Sequence, residues 1–351
     1  MKLTLALLTL AASISAPLHA QRYEATQTAE RITLTDNESI RAVISPAVGA
    51  ELCGLEIKFR GSWREILYRA CDYTPIQGWT GRAPWLWPAT GRNFPANVKP
   101  NEAAVGSSWD YQGKRYPMPI HGFARDLPWK VASVNATASG ARAVLTLADS
   151  PKTRAMYPFG WQLTLEYLIA HGELSIEFRV RASAQNTAPM PFSTGNHITF
   201  RMPLVEGSDP LKTTLQSPSS IEYVKNGSAP TGEKRPVAYD PALPLSRTPV
   251  GQAVTLGGYT KGIWMTLTDP AGLAVTLQHT PSSLPPEVCL FNMWGDARSG
   301  YYSPEPWVGL QNSLVSGNGL IQLPPAAEWQ WRLGLTALDL NARPRRDIPA
   351  R

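Results

Sequence analysis

Between Trp161 and Val180 the apolar side chains stand at every second position: Trp161, Leu163, Leu165, Tyr167 and Ile169, then Leu174, Ile176, Phe178 and Val180. A period of two sends successive side chains to opposite faces of a pleated strand, so this stretch specifies a hairpin with one buried face, turning through Ala170-His171-Gly172-Glu173. A second hairpin reads from Ile263 to Leu267, turns at Asp269-Pro270-Ala271-Gly272 and returns from Leu273 to Leu277. Further strands are expected at 42–44, 51–59, 143–147 and 329–335. No stretch of useful length carries apolar residues at helical spacing, so the chain is expected to be all-β. Residues 74–119 and 204–249 are rich in proline and glycine and read as long connections, of the kind that form or cover a site. No linker, composition break or internal repeat interrupts residues 21–351, which are expected to form one domain.

The first twenty residues have a different character. Met1-Lys2 is followed by an apolar run to Ile14, then Pro17 and a small residue at Ala20, the layout of a secretory signal peptide. The mature chain is expected to begin at Gln21 and to be periplasmic or secreted. No later stretch is long and apolar enough to span a bilayer. The net charge is +6, but no Lys/Arg run interleaves with aromatic residues, so the charge reads as solubility and not as a nucleic-acid strip. Cys53, Cys71 and Cys289 lack the paired spacing of a zinc site. Cys53 and Cys71 either bond to each other in an oxidising compartment or pack as small apolar thiols, and an odd count rules out complete pairing.

Three short segments carry the chemistry. Pro119-Ile120-His121-Gly122-Phe123-Ala124-Arg125 and Gly195-Asn196-His197 each set a histidine beside glycine and near aromatic residues, where an imidazole can reach a pocket. Ser303-Pro304-Glu305-Pro306-Trp307 holds a carboxylate between two prolines and next to an indole, which favours a raised carboxyl pKa suited to a general base. The other histidines read as bland: His19 lies in the leader, His171 at a turn and His279 at a strand end. Arg92, with Asn93 beside it, offers a planar fork of donors to sugar hydroxyls or a carboxylate, and Arg82 and Arg125 are weaker versions of the same idea. Trp79, Trp85, Trp87, Trp294 and Trp307 are candidate flat faces for a sugar ring.

Taken in order, Trp87-Pro88-Ala89-Thr90-Gly91-Arg92, the His121 segment, Gly195-Asn196-His197 and Glu305-Pro306-Trp307-Val308-Gly309-Leu310 resemble the signature of the aldose 1-epimerase (galactose mutarotase) family. Ala47-Val48-Gly49-Ala50-Glu51-Leu52 and Arg64-Glu65-Ile66-Leu67-Tyr68 resemble its opening strands. The resemblance implies a large antiparallel β-sandwich, the galactose mutarotase-like supersandwich, with a sugar cleft on one sheet. It implies Glu305 as the base that takes the anomeric hydroxyl proton and His197 as the acid on the ring oxygen. His121 then hydrogen-bonds the sugar, and Arg92, Asn93, Asn196, Trp307 and Arg125 hold it. No metal or cofactor is implied, and the expected partner is a free hexose. Members of the family often carry a substrate-binding aspartate between the second histidine and the glutamate; Asp240 and Asp269 are the candidates, although Asp269 reads as a hairpin turn. Arg82 also resembles the phosphate-binding arginines of the hexose-6-phosphate epimerase branch, whereas an exported chain favours a neutral sugar. A noncatalytic sugar-binding protein of the same fold is the alternative. A glycoside hydrolase usually needs two carboxylates flanking the bond, and only Glu305 is well placed.

Overall fold

The computed structural model describes residues 22–95, 107–281 and 288–342. The leader expected at 1–20, with His19 and the cleavage point before Gln21, lies outside the described residues. The rest is an antiparallel sandwich. Its larger sheet has nine strands in the order Tyr239–Pro244, Thr214–Ser217, Trp264–Thr268, Leu273–Pro281, Glu328–Asp339, Glu173–Ala182, Trp161–Ala170, Gly140–Ala148 and Lys130–Thr137. The alternating stretch forms the expected hairpin: Trp161 pairs with Ala182 and Ala170 with Glu173, and each of the nine alternating apolar residues is buried. The chain reverses at His171 and Gly172, both at positive φ. The second hairpin also forms, with Thr268 opposite Ala274.

An eight-stranded sheet faces it, built in the order Ala229–Pro236, Ile221–Asn226, Val254–Gly257, Cys289–Asp296, Tyr301–Val308, Thr194–Asn196 and Trp85–Leu86, with Phe200–Arg201 also paired to Tyr301–Val308. Large aromatic side chains close the space between the sheets. Trp85 stacks on Phe178 at 5.4 Å between ring centroids and meets Trp331 edge-on at 5.8 Å. Its indole N–H donates to Tyr167 Oη at 2.8 Å, and that hydroxyl donates to the Ala50 carbonyl at 2.6 Å. These buried polar atoms are therefore satisfied, as a dry interface requires. His279 belongs to the same layer: its Nδ1 accepts from Trp331 Nε1 at 3.1 Å, and burial pushes its imidazole down to about 3. It packs as a neutral ring.

Residues 204–249, read from sequence as a connection, hold four strands. The sequence pattern hides them because Ala229–Pro236 and Tyr239–Pro244 are the edge strands of the two sheets and are mostly exposed on both faces. Without two different environments, no alternation is written into the chain. Residues 74–119 likewise contribute Trp85–Leu86 and the hairpin of Ser108–Tyr111 with Lys114–Pro117. The only α-helices among the described residues are Pro151–Arg154 and Ser313–Ser316.

A five-stranded meander, Glu24–Gln27, Ile32–Thr35, Ile40–Ser45, Glu51–Phe59 and Ser62–Glu65, forms a further sheet. Its Glu51–Phe59 strand carries Cys53, which is bonded to Cys71 across 18 residues, so the pairing alternative holds. The cross-link ties the segment leading to Arg82 and Trp85 to the buried part of that strand. Replacing both cysteines with alanine is expected to cost about 3 kcal/mol, as for a loop of this length. Equilibrium denaturation at constant pH measures it, and a loss well below about 1 kcal/mol would remove the cross-link from the stability argument.

Candidate active site

Strand register places the candidate residues side by side. Tyr301–Val308 pairs on one edge with Cys289–Asp296, setting Glu305 opposite Asn292, and on the other edge with Thr194–Asn196, setting Trp307 opposite Gly195. Gly195 in turn faces Leu86. Only a glycine fits at 195, because a Cβ there would lie 2.4 Å from Trp307 Cδ1. The period of two turns Glu305 and Trp307 to one face of their strand and Asn292 and Trp294 to the same face of theirs. All four line a cavity of about 440 Å³.

His121 arrives from a loop and is clamped by Gly91 in both directions. Its backbone N–H donates to the Gly91 carbonyl at 2.8 Å, and the Gly91 N–H donates to His121 Nδ1 at 3.1 Å. An accepting Nδ1 leaves the neutral ring's proton on Nε2, so His121 offers a donor to the cavity. The turn that makes the clamp has two successive residues at positive φ, His121 at 67° and Gly122 at 71°. At 122 a Cβ would sit 2.1 Å from the Trp87 carbonyl oxygen, which restricts the position to glycine. Burial, reinforced by Arg125, pushes the His121 imidazole down to about 3.

His197 follows Thr194–Asn196 directly. Its N–H donates to the Pro84 carbonyl at 3.0 Å, and its ring stacks on Trp79 with 3.7 Å between centroids and 21° between planes. Trp79 is itself fixed by an indole N–H donated to Thr199 Oγ1 at 2.8 Å. This places His197 Nε2 3.4 Å from Glu305 Oε2. Glu305 is 1% exposed, and its other oxygen, Oε1, accepts from Asn292 Nδ2 at 3.1 Å. Burial drives the two groups in opposite directions, raising Glu305 well above the carboxylate range and lowering His197 well below the imidazole range. Both trends favour uncharged forms.

Six of the expected residues therefore line one cavity: Glu305, His197, His121, Arg92, Arg125 and Trp307. Trp79 and Trp294 line it too, whereas Trp85 and Trp87 are fully buried in the core. Arg125 is held without a strong partner, its Nε buried and lacking a hydrogen bond, with Asp126 at 3.9 Å. Three of the expected binding residues lie elsewhere. Asn196 donates its amide to the Ala83 carbonyl at 3.0 Å and works within the sheet. Asn93 is fully buried outside the cavity lining. Asp240 stands exposed on the edge of the other sheet, where Gln216 Nε2 donates to it at 3.0 Å. Asp269 is buried and accepts from the Val205 N–H at 3.0 Å, Ser208 Oγ at 2.6 Å and the Ala271 N–H at 2.8 Å. It ties its hairpin turn to the chain at 205–208.

Arg82 is also withdrawn from ligand binding. Its Nε is 2.8 Å from Glu51 Oε1, and its Nη1 donates to the carbonyls of Asp72 and Thr80. Sequence reading missed Asn292 and Gln311, which line the cavity. Neither stands in a distinctive motif, and Asn292 is revealed only by its register opposite Glu305. Among the described residues no cluster of three His, Cys, Asp or Glu side chains is placed to hold a metal ion. The arrangement sets a carboxyl group and an imidazole close enough to exchange one proton, on the wall of a cavity lined by indoles.

Comparison with known proteins identifies the family and the fold. The model of the family described as Aldose 1-epimerase matches residues 30–299. The chain is similar to the plasmid-borne protein LacX of Lactococcus lactis subsp. lactis, at 24% identity over 70% of this chain and 80% of that protein. Its fold is similar to that of the Slr1438 protein from Synechocystis sp. PCC 6803, at 25% identity, with a TM-score of 0.70 over 89% of this chain and 97% of the other. It is also similar in fold to galactose 1-epimerase from Lactobacillus acidophilus NCFM, at 12% identity, with a TM-score of 0.66 over 90% and 98% of the two chains. With the matched residues containing the Arg92, His121 and His197 segments, and Glu305 in the neighbouring strand, the chain belongs to the aldose 1-epimerase family.

Proposed function

We propose that the protein is an exported aldose 1-epimerase that interconverts the α and β anomers of a free hexose. The observation that carries this reading is the approach of His197 Nε2 to Glu305 Oε2, 3.4 Å apart on the wall of the cavity. Ring opening of a hemiacetal needs one group to remove the anomeric hydroxyl proton and another to protonate the ring oxygen. Glu305 takes the first role and His197 the second. The bond between the anomeric carbon and the ring oxygen breaks, leaving the aldehyde. Rotation about the bond to the next carbon, followed by closure with the two roles exchanged, gives the other anomer. The protein ends as it began, with one proton shared between Glu305 and His197.

The other lining groups have plain uses in this scheme. His121 Nε2 donates to a sugar oxygen, Arg92 and Arg125 supply donors to ring hydroxyls, and Trp294 and Trp307 offer apolar faces. A free hexose is favoured over a hexose phosphate because Arg82 is committed to Glu51 and backbone carbonyls. Export is supported by the leader-like first twenty residues together with the Cys53–Cys71 bond, which fits an oxidising compartment.

Polarimetry on fresh α-D-glucose or α-D-galactose is expected to show accelerated mutarotation. Exchange of Glu305 for Gln should lower kcat by about a hundredfold or more, with an unchanged circular dichroism spectrum. No acceleration across a panel of aldoses would refute the assignment, and calorimetric binding without turnover would instead mark a sugar-binding protein.

The pH profile follows from the one-proton pair. Activity is lost on the acid side when His197 is protonated while Glu305 remains protonated, and His197 is lowered. It is lost on the alkaline side when Glu305 loses its proton while His197 is neutral, and Glu305 is raised. The acid limb of kcat/KM should therefore lie below the ordinary imidazole range and the alkaline limb above the ordinary carboxylate range. An acid limb centred on an unperturbed imidazole pKa near ~6.5 would contradict this pairing.

Exchange of His121 for Asn is expected to raise KM and lower kcat together, because the donor to the sugar is displaced. Steady-state kinetics equal to those of the unaltered protein would remove His121 from the site.

A further inference from the structure

Behind the cavity wall, four polar side chains on four adjacent strands form one hydrogen-bonded line. Lys225 Nζ, on Ile221–Asn226, donates to Thr255 Oγ1 on Val254–Gly257 at 3.0 Å. Thr255 Oγ1 donates to Asn292 Oδ1 on Cys289–Asp296 at 2.9 Å, and Asn292 Nδ2 donates to Glu305 Oε1 on Tyr301–Val308 at 3.1 Å. Register makes the line: Thr255 is opposite Asn292, and Asn292 opposite Glu305. An ammonium group only donates, so the threonine oxygen must accept from it and give its own proton to the asparagine. The amide oxygen is then occupied, which turns the amide NH₂ toward Glu305. A second approach of Lys225 Nζ to Asn292 Oδ1, at 3.5 Å, favours the same orientation. Without the cation, a Thr-Asn pair has no fixed direction.

We propose that Lys225 is a positioning residue for Glu305: acting through Thr255 and Asn292, it pins Oε1 and leaves Oε2, the oxygen facing His197, as the one that exchanges protons with the sugar. The inference rests on the reading of Glu305 as the acid/base carboxyl and deepens it. Lys225 lines a neighbouring cavity of about 660 Å³ and not the one that holds Glu305, so it acts on the site from outside. The carboxylates acting on Lys225 are Glu305 and Glu222. Glu222 already accepts both Nε and Nη2 of Arg235, at 2.9 Å each, which leaves Glu305 as the carboxylate without a guanidinium of its own. The ionisable groups acting on Glu305 are Lys225 from this side and His197 from the cavity. Burial lowers the Lys225 ammonium to about 8, and it remains mostly charged at neutral pH.

The test compares Lys225→Met, Lys225→Arg and Thr255→Val with the unaltered protein by two readouts. One is the carbon-13 NMR titration of the Glu305 carboxyl, assigned by its absence in Glu305→Gln. The other is mutarotation kinetics. Losing the cation should raise the Glu305 titration midpoint by about 0.5 to 1 pH unit and lower kcat about tenfold, with KM changed by no more than about twofold. Lys225→Arg, which keeps the charge and the donors, should restore both. Thr255→Val, nearly isosteric, should lower kcat with the charge still in place. An unchanged midpoint and kcat in Lys225→Met would overturn the proposal, as would equal impairment of Lys225→Arg and Lys225→Met in folded proteins. If the unaltered protein accelerates no aldose, the epimerase reading fails by itself, and the carboxyl titration still decides whether Lys225 governs Glu305.

Discussion

The constraint on which the site depends is the removal of the Glu305 carboxyl from water. A carboxylate loses several kcal/mol of solvation on burial unless fixed donors replace the water. Here the protein supplies one amide N–H to Oε1, the neighbouring Trp307 indole, and an imidazole at 3.4 Å from Oε2. A carboxyl so placed holds its proton more tightly than one in solution, and the same dry surroundings make His197 reluctant to accept one. Burial thereby reverses the usual order of proton affinity, so that in the one-proton pair the proton rests on Glu305 and His197 is neutral.

The sandwich supplies this environment by simple means. Pleating presents Glu305, Trp307, Asn292 and Trp294 to one cavity, while the opposite sides of the same strands close against the nine-stranded sheet. The donors that need special backbone shapes come from outside the regular strands. His121 depends on two consecutive residues at positive φ, and its clamp on Gly91 fixes which ring nitrogen bears the proton. Rigid strands thus hold the proton-exchanging carboxyl, and constrained loops hold the groups that read the sugar.

What the chain discloses in advance follows from the same physics. Residues 161–182 are legible because their two faces meet different surroundings, and the record of that difference is the alternation itself. Ala229–Pro236 meets nearly the same solvent on both faces and leaves no such record. In the site, Glu305, His197, His121 and Arg92 stand in distinctive segments because their neighbours are constrained too: prolines around the carboxyl, glycines beside the imidazoles. Asn292 has no such neighbours, and only the pairing register discloses it. Asp240 misleads for the converse reason, since an acidic residue in sequence does not reveal on which sheet or face it lies.

A further consequence concerns the resting proton. The carboxylate with imidazolium and the carboxylic acid with neutral imidazole contain the same number of protons and differ only in where one resides. Burial favours the uncharged arrangement, yet ring opening begins from the charged one. The same uncharged arrangement is reached after the ring has opened, when Glu305 has gained the anomeric proton and His197 has given one up. Ring closure then runs from it without rearrangement. A sugar whose hydroxyls and ring oxygen hydrogen-bond to Oε2 and to His197 adds polar contacts to both groups, and so narrows the gap between the two arrangements. The donor line from Lys225 acts in the same direction, because a cation beyond Asn292 lowers the cost of the carboxylate while leaving Oε2 unencumbered.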